Sequence, residues 1–145
     1  MRMPLPIAAL AGLILLSDLV QAADPDDIFI VRTTVKTPDA VVAAVRSHAE
    51  QQKWIFLSEN KVKQGQVTLV KLCIPAVGRL VWPAGLRMSA LLPCGNVGIY
   101  ANGDMTEISL LHPRYMHLLH PDPALEQAGA VAEPLLLEML DMITK

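Results

Sequence analysis

The run from Val97 to Leu111 leaves the chain fewer options than any other part. Val97-Gly98-Ile99-Tyr100 is strand-like, Ala101-Asn102-Gly103-Asp104 comes next, and Met105 to Leu111 is a second strand-like run. Asn-Gly between two such runs is the strongest short-range hairpin signal, because a type I′ turn needs φ > 0 at both central residues. On the return run Met105, Glu107, Ser109 and Leu111 share one face, and Thr106, Ile108 and Leu110 the other. The second set reads as the buried face. Just upstream, Leu91-Leu92-Pro93-Cys94-Gly95-Asn96 runs into a turn. Pro93 has a fixed φ and no donor, which suits a strand start or edge. Gly95 and Asn96 tolerate left-handed backbone. Cys94 therefore sits where a ladder begins and where a side chain can be aimed at a site.

The remaining elements are read from the N-terminal side. Ile28 to Val35 alternates weakly and reads as a first strand. Thr37-Pro38-Asp39 opens a helix, with Thr37 as N-cap, Pro38 at the first position and Asp39 on the positive end of the dipole. Val41, Val42, Val45 and Ala49 form its buried stripe, and His48 beside them reads as a partly exposed helix residue. Trp54 to Leu57 is a second strand, Glu59 to Gln66 a polar turn, and Val67 to Leu72 a third strand that delivers Cys73. Pro75 starts a short helix over Ala76 to Trp82, ended by Pro83 and Gly85. After His112-Pro113, a second cap-plus-proline pair, Asp122-Pro123, opens the last helix. Leu125, Ala128, Val131, Ala132, Leu135, Leu136, Met139, Leu140 and Ile143 carry its stripe, and Pro134 predicts a kink or a split.

The string LLPCGNVGIY, a short turn and then MTEISLLHP resemble the domain-of-unknown-function 302 family. Leu72-Cys73-Ile74-Pro75 resembles that family's Cys-Asn-Pro segment, with Ile74 in place of the Asn. The similarity runs from about Ile28 to Lys145. It implies a single α+β domain over residues 28–145, of β-α-β-β-β-β-α type. The expected sheet is curved and mainly antiparallel, with helices on one face. It also implies a homodimer, and it implies no established chemistry. A chain that is 52% hydrophobic permits the apolar patch such a dimer would need, although the N-terminal segment contributes part of that fraction.

That segment, Met1 to Ala22, has Arg2, an apolar run over Ile7 to Leu16, and small residues before Ala22 and Ala23. These mark a secretory signal peptide cut after Ala22 or Ala23, and hence a periplasmic or secreted protein. Asp18 interrupts the apolar run, which falls short of the about 20 residues of a membrane span. The mature chain is then roughly 120 residues, one domain's worth and enough for a real core. Arg2 and Asp18 leave together, so the formal charge of −2 is unchanged. With no basic block and 4% aromatics, neither an electrostatic footprint nor a stacking platform for nucleic acid is present. No long apolar run lies beyond the leader, so no membrane partner is expected after cleavage.

Chemistry rests on a small set of side chains. In an oxidising compartment the two cysteines, Cys73 and Cys94, suggest a disulfide closing a loop of about 22 residues, which chain entropy makes worth roughly 3 kcal/mol. Two packed thiols are the plain alternative. A reactive thiolate is the third, if Arg79, Arg87 or Arg114 lies close enough to lower its pKa. Both strand-end sulfurs are expected on one sheet edge, with His112 or His117 on the same side. Cys73, Cys94, Asn96 and His112 are thus the candidate ligand-binding set. Met116, His117 and His120, with His112 close by, form a candidate soft-metal or haem set, since thiolate and thioether favour Cu(I) and imidazole favours Cu, Zn or haem iron. No cofactor is specified by a motif. There is no Cys-x-x-Cys, no Cys-x-x-Cys-His, no Gly-x-Ser-x-Gly and no His-Glu-x-x-His, and Gly95-x-x-Gly98 does not open a helix. Three functional readings stand: an exported binding or accessory protein for a small ligand or metal ion, a thiol- or sulfur-handling enzyme using Cys94 and Cys73, and a structural homodimer without ligand.

Overall fold

Alternating side chains become two unlike faces once the strands pair. The computed structural model describes residues 28–90 and 96–145. The expected leader and residues 91–95, Cys94 among them, lie outside the described residues. The strands β1 (Phe29–Thr34), β2 (Ile55–Val62), β3 (Val67–Cys73), β4 (Asn96–Asn102) and β5 (Met105–Leu111) form one antiparallel sheet in the order β1-β5-β4-β3-β2. The fold is α+β, as expected, and β1 closes beside β5 rather than beside its sequence neighbour.

The helices α1 (Pro38–Gln51) and α4 (Pro123–Thr144) cover one face. Val70, Leu72, Val97, Ile99, Ile108 and Leu110 from the sheet meet Val41, Val45 and Ala49 of α1 and Leu136, Met139, Leu140 and Ile143 of α4. Thr106 lies on this buried face as well, so the side assignment read from Met105–Leu111 holds. A smaller core of Val81, Met88, Met116, Leu125 and Ala128 lies where α2 (Pro75–Val81), a 3-10 stretch (Leu86–Ala90) and α3 (Tyr115–Leu119) flank the start of α4.

Caps fix the helix ends as read. Thr37 accepts from the Ala40 N–H at 3.3 Å and Asp122 from the Ala124 N–H at 2.8 Å. At the end of α1 the Trp54 N–H reaches the Ala49 carbonyl and the Lys53 N–H the Glu50 carbonyl. This is a Schellman ending, with Lys53 at φ 57 where glycine is usual. The C-terminal carbonyls of α4 are held by β1 and its exit: Thr34 donates to the Thr144 carbonyl and Lys36 to the Ile143 carbonyl.

Four local expectations are corrected. The stretch Glu59–Val62 is strand, not turn, because Glu59 and Lys61 face α1 and pair with Arg46 and Asp39. His48 is buried, not half-exposed, packed edge-on against Trp54 at 5.1 Å between ring centres. Pro134 does not split the last helix, which runs unbroken to Thr144. Gly103 and Asp104, not Asn102 and Gly103, are the central turn residues, since Asn102 pairs with Met105. Only Gly103, at φ 61, is left-handed, which fits a type II′ turn rather than I′.

Candidate functional site

Strand direction decides which candidate residues can meet. β3 ends at Cys73 where β4 begins at Asn96 and β5 ends before His112, so the three positions share one end of the sheet. Cys73 is half-buried and lies opposite Ile55 on β2. The β3 alternation assigns it to the side of Val67, Leu69 and Lys71, away from the helices. His112 has the other parity and turns to the helices. Its Nδ1 accepts from the Arg114 N–H at 3.3 Å, which leaves the proton on Nε2, 3.5 Å from a Glu133 carboxylate oxygen on α4. Both ring nitrogens are thus engaged within the chain. Cys73 and His112 share an end of the sheet and face opposite sides.

The histidine-methionine segment is divided by its own helix. Met116 is buried in the smaller core. His117 Nδ1 is bound to the backbone of Asp122, as acceptor from its N–H at 3.3 Å in one tautomer or donor to its carbonyl at 3.1 Å in the other. His120 is the exposed C-cap of α3. Among the described residues no three His, Cys, Asp or Glu side chains converge as metal ligands would. Nearby, the buried Tyr115 hydroxyl has no hydrogen-bond partner among the described residues. The Arg114 guanidinium stands 5.8 Å from the Tyr115 ring centre.

A polar chain on the helix-free face was not anticipated from the sequence. The Tyr100 hydroxyl donates to Glu107, and Asn102 donates to the same carboxylate at 2.9 Å. The hydrogen bonds from Tyr100 and Asn102 hold the Glu107 carboxyl below its ordinary range. The bond to Glu107 in turn raises Tyr100 above an ordinary phenol. A two-residue turn sets Tyr100 opposite Glu107, so placing the turn one residue later would have shown the pair.

Among the described residues no helix is long and apolar enough to cross a membrane. No protein-family model matches the chain, and no curated protein does. A solved structure does: the crystal structure of an uncharacterized conserved protein, DUF302, from Bacillus stearothermophilus. The two chains are 18% identical, the match covers 81% of this chain and 98% of that one, and the TM-score is 0.72. That identity carries the fold and nothing of the chemistry. The resemblance in the Leu-Pro-Cys stretch and the superposed backbones agree, and the chain has a DUF302-like fold.

Proposed function

We propose that this is an exported binding or accessory protein whose ligand contacts are the two sulfurs, Cys73 and Cys94, at one end of the sheet. The observation that supports it is the β3–β4 register. Val67 pairs with Tyr100, Leu69 with Gly98 and Lys71 with Asn96, one residue back for each residue forward. β3 ends at Cys73 and β4 begins at Asn96 at the same end of the sheet, and Cys94 precedes Asn96 by two residues in the sequence. A disulfide needs Cα atoms within about 7 Å, and a soft ion shared by two thiolates needs comparable proximity. His112 is left out of this set, because its ring is turned to Glu133.

In the oxidised form the two thiols lose two protons and two electrons to a disulfide-bearing oxidant, which becomes a dithiol. In the reduced form the pair takes a soft cation such as Cu(I) or Zn(II). Thiol titration of protein purified without reductant tests the pairing. No titratable thiol before reduction and two after it is the expected result for the disulfide. Two thiols throughout, with one equivalent of Cu(I) bound and lost in Cys73→Ser, is the expected result for the ion site. Two thiols that bind neither Cu(I) nor Zn(II) would overturn the proposal. Turnover of a persulfide or disulfide substrate, lost in Cys94→Ser, would favour the thiol-handling enzyme instead.

A further inference from the structure

We propose that the short helices around the smaller core form a docking surface for an anionic lipid bilayer, with Trp82, Leu86, Leu118 and Leu119 as its apolar contacts. The inference does not rest on the thiol site. Val81, Met88 and Met116 are buried in that core. Their neighbours in the chain are not: Trp82 follows Val81, Leu86 precedes Met88, and Leu118 and Leu119 follow Met116 on α3. Leu86 is 81% exposed, Leu119 65% and Leu118 59%, the three most exposed leucines among the described residues. Trp82 is exposed as well. Single exposed apolar side chains are normal, but four of them on the elements that enclose one small core mark a contact surface.

Charge narrows the choice of occupant. Residues 74–90 and 112–121 carry Arg79, Arg87 and Arg114 and no Asp or Glu, in a chain of formal charge −2. Arg79 and Arg87 are exposed and bracket Trp82 and Leu86 in the sequence. On the adjoining half of α4, Asp122 caps the helix, Glu133 meets His112, and Glu126 is exposed. The short helices themselves therefore offer cations and apolar groups, which calls for an anionic partner with an apolar interior.

The form of the contacts selects a bilayer over an acidic protein. Leucines as exposed as Leu86 and Leu119 protrude and do not line a groove, so they suit a soft surface that they can enter. Leucine, tryptophan and arginine together are the side chains of interfacial helices. The leucines reach the acyl boundary, the indole stays at headgroup level, and the guanidinium fork pairs with lipid phosphate. Such a contact needs no spanning helix, and none occurs among the described residues.

Co-sedimentation of the purified protein with vesicles tests this. Binding is expected to vesicles of mixed phosphatidylcholine and phosphatidylglycerol and not to phosphatidylcholine alone. Tryptophan emission should move to the blue on binding, a shift that reports Trp82, since Trp54 already packs against His48. The double variant Leu118→Glu, Leu119→Glu should weaken binding at least about tenfold. Met142→Glu, at the other end of α4 and equally exposed to solvent, should leave it unchanged. Leu86→Glu gives a second reading should the double variant fail to fold. No binding to anionic vesicles, or equal binding to neutral ones, would overturn the proposal. So would a wild type that is oligomeric without lipid and made monomeric by Leu86→Glu, which would assign the surface to a second copy.

Discussion

Tyr100 and Glu107 face each other across the β4–β5 hairpin, the phenol donating to the carboxylate, while Asn102 holds the carboxylate's other oxygen. The contact favours Glu107 ionised and Tyr100 protonated, so it acts on stability at both ends of the pH scale. Glu107 is depressed on folding. Its contribution is present above its unfolded pKa and is lost as pH falls through the folded value. Tyr100 is raised on folding. Its contribution is present below the ordinary phenol pKa and is lost as pH rises through the folded value. Glu107→Gln should flatten the acid limb and return the Tyr100 phenol toward its ordinary range. Ultraviolet titration reads this directly in a chain with two tyrosines. An unmoved phenol curve would mean that the contact does not form in solution.

His48 predicts a separate acid dependence at milder pH. Burial on α1 against Trp54 lowers its pKa below 6.5, and the nearby Glu138 opposes this only in part. The folded protein therefore prefers the neutral ring. Stability from this group is full above the unfolded pKa and falls as pH drops from about 6.5 through the folded value. His48→Phe keeps a ring against Trp54 and removes the proton. Melting temperatures across that window should lose their slope in the variant, and an unchanged slope would assign the dependence to another group.

How far the sequence reached depended on whether its signal was local. Thr37-Pro38 and Asp122-Pro123 announce caps with short-range geometry, and both helices start there. The β5 alternation is equally local, and Thr106, Ile108 and Leu110 are buried accordingly. Glu59 and Lys61 failed as indicators because charge in a strand is normal when a helix 13 to 22 residues earlier supplies Arg46 and Asp39 as partners. His48 failed because its burial depends on a ring from the following segment. Cys73 and His112 lie at one end of the sheet, but a proximity reading cannot give parity, and parity turns them apart.

Lys53 closes α1 in the left-handed region, a conformation that costs a residue with a Cβ about 1–2 kcal/mol. The hydrogen bonds of the Schellman ending come from backbone N–H groups and do not depend on the side chain. Lys53→Gly should therefore stabilise the protein by about 1 kcal/mol, partly offset by the greater freedom of glycine in the unfolded chain. Thermal unfolding should shift upward by a few degrees. A downward shift would show that the lysine side chain contributes more than its backbone costs.

Pro134 gives the sharpest test of α4. It lies inside a 22-residue helix, has no N–H for the carbonyl of Ala130, and its ring crowds that carbonyl. Its own side chain is exposed, so no packing contact explains its place, while Ala132 and Leu136 on either side are buried. In an unbent helix such a proline costs about 3 kcal/mol relative to alanine. Two outcomes are then distinguishable. If the backbone around residues 130–134 is merely tolerated, Pro134→Ala restores one hydrogen bond and raises the denaturant midpoint at constant m-value. If the helix must bend there so that Met139, Leu140 and Ile143 reach the sheet, a straightened helix lifts those side chains away and the midpoint falls. The continuous buried stripe from Ala132 to Ile143 favours the first outcome, a gain of about 1–3 kcal/mol. A lower midpoint would identify Pro134 as the residue that sets the angle of α4 on the sheet.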